Sequence, residues 1–425
     1  MRSVTSFKSY QLYKKYERQL NFVINILYVL SKKVMLIFYD GLYSLINRSD
    51  KMKCLIFQRF IPFYREEFFK RIQIELKKKN IEVFFAFGET KQQVGRTGKK
   101  FNSVELENKI YCPYVEISLF NRNIRLNKRV ISVIFKIKPD VVIFEGIVSN
   151  ISNWVIVLLS KVLKIKIVAW VLGWEGKRSF TRRLLLKVLY KNVDVFFAYN
   201  TSSKKYLNKL GVRDDKIVVL YNTINEHNIL KNIEKIKQQA GEIKKKMNLG
   251  ERIVLLYCGA VIREKKIEIL LDSMKKLSDC ILIIVGDGND MYYYKKYATD
   301  KKLDNVIFVG RVIENVDCYY QVADIFIMPC QGGLALNQAM IHQKPIICGK
   351  ADGSEYDLVI NGYNGFRDEN LTPDKIVTYV EEIKKIGIEK MGKNSLSILF
   401  EKEILFEKFV ERFVKGIINI NILGE

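Results

Sequence analysis

The chain has 425 residues, 48% of them hydrophobic and only 6 of them proline. That is enough for two α/β domains of ordinary size and too apolar for wholesale disorder. Its 71 Lys and Arg outnumber 46 Asp and Glu, and the formal charge of +25 must face water or an anionic partner such as nucleic acid, lipid or a phosphorylated substrate.

Residues 1–50 read as a basic segment around the apolar run NFVINILYVLSKKVMLIFYDGLYSLI, interrupted by Lys32, Lys33 and Asp40. This pattern suits an amphipathic helix on an anionic membrane surface. A helix capping the first domain, or an extension from a misplaced start with Met52 as the real one, fits equally. No signal peptide is expected, because residues 1–20 are polar and basic. No run of about 18 apolar residues is present. The nearest, 151–174, carries Lys161, Lys164 and Lys166 and reads as a buried helix followed by a buried strand.

From Lys53 onward short apolar strands alternate with helical segments. KCLIFQ, IEVFFAF, DVVIFEG, KIKIVAWVL, DVFFAYN and KIVVLYN read as strands. REEFFKRIQIELKKK, ISNWVIVLLSKVL and segments near 178–191 and 202–210 read as helices. Such alternation predicts a parallel sheet covered on both faces, spanning 51–222. Residues 226–250 are Lys-rich and helical in character, and read as a linker or peripheral helix. The alternation then restarts at RIVLLYCG and runs through CILIIVGDG, NVIFVG, DIFIMPC and KPIICG, with helices between. A second doubly wound domain is therefore predicted over 223–402, with ligand binding in the cleft between the two. Residues 403–425 read as a helix returning to the first domain.

The stretch 307–349 carries the most chemistry. Gly332 and Gly333 precede a helix starting near Leu334. Glycine lets backbone amides approach a ligand, and a helix N-terminus favours an anion. A diphosphate cradle and a purely structural turn both fit these residues.

In order and spacing these segments resemble the C-terminal domain of retaining GT-B glycosyltransferases of family four, of the bacterial surface-polysaccharide type. The residues that carry the resemblance are Pro329, Gly332, Gly333, Leu334, Gln338-Ala339-Met340 and Lys344-Pro345. CGAVIREKKIEILLDSM, ILIIVGDG, ADGSEYDLVINGYNGF and VLYNTIN add flanking matches, so the resemblance covers about 215–370. It implies two Rossmann-like domains facing across a cleft, the first taking the acceptor and the second the donor. Within the second, Gly259, Arg311, Val312, Gly332, Gly333, Leu334 and Gln338 are expected to bind a nucleoside-diphosphate sugar. Lys265, with Arg263 beside it, is expected to neutralise the departing diphosphate. A solvated helix start formed by Arg263, Lys265 and Lys266 is the alternative, but cations sit poorly at a helix N-terminus, which favours the ligand reading of Lys265.

The chain departs from the family at four positions. The family's sugar-contacting Glu falls on Cys330 and its ribose-holding Glu on Gln338, whose amide oxygen still accepts a hydrogen bond. Ala260 stands where the family has Arg. Leu172 stands where many relatives carry His, leaving Glu175 as a catalytic candidate and Trp174 as an acceptor-stacking one. Arg65, in PFYREEF, suits an acceptor phosphate or a salt bridge to Glu66 or Glu67. Glu145 and Asn150 are further candidates at the first sheet's edge.

No cofactor is expected beyond the nucleotide sugar as co-substrate, and no metal. The cysteines lack metal-ligand spacing and read as reduced, buried thiols. Gly286-x-Gly288 lacks the third glycine of a dinucleotide fingerprint. The resemblance implies a retaining, metal-independent hexosyltransferase, cytoplasmic and peripheral on the membrane, passing a sugar to a growing lipid-linked glycan. A non-catalytic scaffold of a polysaccharide assembly is the rival. Nucleic acid is not an expected partner, because the charge is spread along the chain rather than gathered in one tract.

Overall fold

The computed structural model describes residues 51–89, 100–119, 122–173, 180–330, 332–350 and 352–422. The basic segment 1–50 therefore lies outside the described residues. In chain order the first lobe contains β1 (Met52–Gln58), α1 (Glu66–Lys77), β2 (Ile81–Phe87), β3 (Lys109–Tyr111), β4 (Tyr114–Leu119), β5 (Arg122–Asn127) and α2 (Val130–Ile137). It continues through β6 (Val141–Glu145), α3 (Ile151–Leu163), β7 (Lys166–Val171), α4 (Phe180–Tyr190), β8 (Val195–Ala198), α5 (Thr201–Lys209) and β9 (Ile217–Val219). Its seven-stranded sheet has the order β3-β2-β1-β6-β7-β8-β9, with β1–β6, β6–β7 and β7–β8 parallel. The β4–β5 pair is a separate antiparallel hairpin.

The second lobe opens with α6 (Glu226–Lys231) and α7 (Ile233–Lys246), followed by β10 (Ile253–Cys258), α8 (Ile267–Met274), β11 (Cys280–Val285), α9 (Met291–Asp300), β12 (Val306–Gly310) and α10 (Val316–Val322). Then come β13 (Ile325–Met328), α11 (Gly333–Ile341), β14 (Ile346–Cys348), α12 (Glu355–Leu358), β15 (Gly365–Arg367), α13 (Pro373–Ile386) and α14 (Ile388–Glu401). The sheet order is β12-β11-β10-β13-β14-β15, and every pair runs parallel. Unbroken apolar strands such as Val254–Tyr257 and Cys280–Val285 are buried along their length because helices cover both faces. The Lys-rich stretch after residue 226 forms α6 and α7. Ile236 and Ala240 of α7 enter the second lobe's core, so this stretch packs rather than links.

A final helix, α15 (Phe406–Ile422), lies on the first lobe. Phe409 stacks on Phe68 of α1 at 4.1 Å, and Phe413 contacts Phe68, Trp170 and Phe197. Burying each such ring contributes about 1.5–3 kcal/mol. Gly416 is the residue that fits inside this helix, because a Cβ there would stand 2.4 Å from the Phe197 ring.

The lobes meet where loops leave the C-terminal ends of β8 and β14. The Thr201 backbone N–H donates to Asp357 Oδ2 at 2.9 Å, Asn200 Nδ2 donates to Ser354 Oγ at 3.2 Å, and Ser202 Oγ donates to the Gly353 carbonyl at 3.2 Å. Among the described residues no helix is long and apolar enough to cross a membrane.

Candidate active site

In the second sheet, chain order reverses between β10 and β13: strands 10 to 12 step one way, strands 13 to 15 the other. A doubly wound sheet opens a crevice beyond the carboxyl ends of its strands at such a point. The two loops flanking it follow β10 and β13 and hold Gly259, Arg263, Lys265 and Gly332.

The β10 loop is held by backbone. Gly259 N–H donates to the Val285 carbonyl at 2.9 Å, and Val261 N–H to the Asp287 carbonyl at 3.1 Å. Gly286 permits this approach: it has φ +137°, and a Cβ there would lie 1.8 Å from the Gly259 carbonyl oxygen. The loop closes in a 3-10 turn, Arg263–Lys265, with Lys266 left-handed before α8. Arg263 is held from two sides: its Nε lies 3.4 Å from Asp290 Oδ1, and its guanidinium sits 3.4 Å over the Tyr293 ring. Lys265 is half-buried on the same turn.

Cys330 joins the two walls. Its thiol donates to the Glu264 carbonyl at 3.0 Å, so the cation-bearing turn is fastened beside Gly332 and Gly333. Burial pushes the thiol of Cys258, at the end of β10, up to about 11. All seven cysteines are free thiols.

Among the described residues no side chain caps α11, whose N-cap is Gly332. A Cβ at Gly332 would stand 2.7 Å from Met328 Cε, and one at Gly333 2.9 Å from Asp352 Oδ2. Among the described residues its first amides have no side-chain cap, a geometry that suits an anion. Asp352, not singled out from the sequence, brings a carboxylate to this turn and can accept hydrogen bonds from hydroxyl groups. Leu334 is half-buried in the first turn.

Gln338 lies about 9 Å from Gly332 along the helix axis. Its Nε2 donates to Asp317 Oδ1 at 2.8 Å, and His342 Nε2 meets the same oxygen at 2.8 Å. Burial disfavours the Asp317 carboxylate, but its bonds to His342 and Gln338 outweigh that and hold it below the usual range. Asp317 thereby engages the amide nitrogen of Gln338 and leaves the amide oxygen as the end that can accept from a ligand. Arg311 is exposed and Val312 half-buried in the loop between β12 and α10.

The first sheet reverses between β1 and β6, and there Arg59 and Glu145 form an ion pair. Glu145 raises the Arg59 pKa against the cost of burial. Arg65 is buried. Its guanidinium lies 4.5 Å from the Trp170 ring centroid, and Nη2 donates to Tyr199 Oη and Asn222 Oδ1 at 3.1 and 2.9 Å. These partners take the place of the salt bridge to Glu66 or Glu67 considered from the sequence. Asn150 caps α3, its side chain accepting from the Ser152 N–H. The candidates Trp174 and Glu175 lie outside the described residues. Among those described, no group of three or more His, Cys, Asp or Glu is placed to hold a metal ion.

Residues 67–228 match the family described as Glycosyltransferase Family 4, and residues 238–395 match the Glycosyl transferases group 1. Both halves of the chain thus match glycosyltransferase families, the second half that of group 1. An uncharacterised glycosyltransferase of Methanocaldococcus jannaschii is 29% identical over 226 residues, 51% of this chain and 54% of that protein. The chain thus spans about half the length of that curated relative. A poly(glycerol-phosphate) alpha-glucosyltransferase of Bacillus subtilis is 28% identical over 33% of this chain and 19% of its own. Anabaena HepE, solved with UDP, superposes with a TM-score of 0.65 at 15% identity, over 86% of this chain and 99% of that one. The chain therefore has the GT-B fold, two Rossmann-like lobes with the reversal point of the second lined by glycine.

Proposed function

We propose that the protein transfers a hexose from a nucleoside-diphosphate donor to a growing, lipid-linked surface glycan, retaining the anomeric configuration without a metal ion. One observation carries this reading: the bare N-terminus of α11 and the Arg263–Lys265 turn flank the same crevice, fastened together through Cys330. In this arrangement the diphosphate lies against the amides of Gly332, Gly333 and Leu334. Lys265 supplies the charge that strengthens as the diphosphate leaves, and Arg263, held by Asp290 and Tyr293, assists. The ribose meets the Gln338 amide oxygen. The base rests on the loop at Arg311 and Val312, and Gly259 keeps the β10 wall low.

Asp352 is placed to bind donor-sugar hydroxyls in the role for which the family uses the Glu that Cys330 replaces. Attack comes from the face the leaving group departs, with a phosphate oxygen taking the acceptor hydroxyl's proton. Arg65 with Trp174 and Glu175 would serve the acceptor from the first lobe. That Anabaena HepE is solved with UDP, and that the Bacillus relative is named as a poly(glycerol-phosphate) alpha-glucosyltransferase, supports a nucleotide-sugar donor and a polymeric acceptor. The basic charge supports work on the inner face of the membrane, as a cytoplasmic, peripheral protein.

A non-catalytic scaffold is the second reading, favoured by Cys330, Ala260 and Leu172 standing where the family has Glu, Arg and His. A thermal-shift screen against UDP, GDP, CMP and ADP sugars, followed by a donor-hydrolysis assay, separates the two. A ligand at a hundred times its Kd stabilises by about 2.7 kcal/mol. Stabilisation with turnover supports transfer, and stabilisation without hydrolysis or transfer supports the scaffold. No response to any donor sinks both the nucleotide site and the reading built on it.

A further inference from the structure

Helices α3 and α4 connect β6 to β7 and β7 to β8, two crossovers that step through neighbouring strands in one direction. Right-handed crossovers of this kind place both helices on one face of the sheet. Their inner residues confirm it: Ile156, Val157 and Leu159 of α3 share a core with Leu186, Leu189 and Tyr190 of α4. Their outer residues are apolar as well. Leu158 is 60% exposed and Val162 49% on α3; Leu184 is 54%, Leu185 49% and Val188 50% on α4. Surface helices of a folded lobe ordinarily turn polar residues outward, and a cluster of exposed aliphatics marks an interaction surface.

The charge around this cluster has one sign. Residues 151–164 and 180–191, the two helices and the residue after each, hold six Lys or Arg and no acid, and Asp194 beyond them pairs with Lys166. Lys161, Lys164, Arg183, Lys187 and Lys191 are exposed on or just beyond the two helices. A second copy would present the same cations to itself and be repelled. A protein interface would favour aromatic residues and deplete Lys, whereas aliphatic side chains rimmed by Lys stems suit the boundary between acyl chains and headgroups.

We infer that the outer face of α3 and α4 docks on an anionic lipid bilayer. It rests on the transferase reading for its purpose, the delivery of a lipid-linked acceptor, while the binding itself needs no nucleotide.

The test is co-sedimentation of the full chain with vesicles of phosphatidylglycerol and phosphatidylcholine, and with phosphatidylcholine alone. Wild type is expected to bind the mixed vesicles and not the neutral ones. The triple variant L158S/L185S/V188S is expected to bind at least tenfold more weakly. K161E/K187E should lose roughly fivefold or more for each charge, the scale of one cation near an anionic surface. Tyr292→Ser, an 80% exposed aromatic on the second lobe, should bind as wild type. Matching melting curves confirm that the variants fold, and a retained nucleotide-sugar thermal shift separates loss of docking from loss of the donor site. Wild-type vesicle binding by both multiple variants overturns the inference. So does unchanged vesicle binding with a shift from dimer to monomer, which would assign the face to a second copy.

Discussion

The two sheets reverse their chain order in the same way and fill the resulting crevice differently. At the first, between β1 and β6, Arg59 and Glu145 close the space with an ion pair of opposite side chains. At the second, between β10 and β13, Gly259, Gly332 and Gly333 line it, and backbone lies against backbone. Side chains offer specific partners for a polar group, whereas a glycine-lined turn at a helix N-terminus offers a row of amides to a diffuse anion. One topology thus supports two kinds of recognition, and the choice is made by a few residues at strand ends.

Breaking the backbone-built edge should cost most. Gly286→Ala would place a Cβ 1.8 Å from the Gly259 carbonyl at a left-handed φ of +137°, and a loss of about 4 kcal/mol or more is expected. Gly146→Ala, at the side-chain-built edge, meets the Val171 methyl at 2.7 Å and the Tyr190 hydroxyl at 3.1 Å. Side-chain ends can yield, so about 1–2 kcal/mol is expected there. Urea unfolding of both variants measures the contrast, and equal losses would erase it.

Lys265→Ala is expected to lower turnover by roughly a hundredfold, about 2.7 kcal/mol of transition-state stabilisation, with little change in melting temperature. Arg263→Ala should cost less. Full transfer by folded Lys265→Ala would remove Lys265 from the phosphate role.

A sharper test compares the two ends of the second sheet. Lys344, just before β14, donates to the Gln321 carbonyl at 3.2 Å. Burial pulls its pKa down to about 8, with Asp324 opposing. Below pH 8 the ammonium is charged in both folded and unfolded chains, and the folded state bears the cost. As pH rises from 8 toward 10.5 the folded chain gives up its proton first, and that cost disappears. Lys344→Met is therefore expected to be more stable than the parent by about 2 kcal/mol near neutrality, an advantage that fades above pH 8. A constant difference across that window would contradict it.

The smallest effect is assigned to Gln338→Ala, which should weaken nucleotide binding by about 1 kcal/mol, the scale of one hydrogen bond. Titration calorimetry with the best donor from the screen measures it, and undiminished affinity would place the ribose elsewhere.

The second lobe was the more legible from sequence because its geometry is encoded locally. Strands such as CILIIV are unbroken apolar runs, and glycines mark where chains approach. Helix α3 falls on ISNWVIVLLSKVL as read from its pattern. What sequence could not supply were partners far apart in the chain. Arg65 meets Tyr199 and Asn222 across 134 and 157 residues, and no local pattern distinguishes that cage from a salt bridge to Glu66. Asp317 and Asp352 look like ordinary acidic residues until α10 is brought beside Gln338 and the β14 loop beside Gly333. The hairpin of β4 and β5 escaped notice because RNIRLN carries little of the apolar alternation that signals a strand.

Helix α15 has a consequence for how the chain comes into being. Phe409 and Phe413 lie among Phe68, Trp170 and Phe197, side chains encoded more than 200 residues earlier. A ribosome that has released the whole first lobe has not yet made the residues that finish its core. That lobe must wait, partly unsealed, while the second is translated, at roughly 5–20 residues per second. The second lobe, whose sheet is contiguous in sequence, can fold as it emerges and then hand the helix back. Assembly would thus end where translation began, with the interval between them a time when Phe68 and its neighbours need protection from other apolar surfaces.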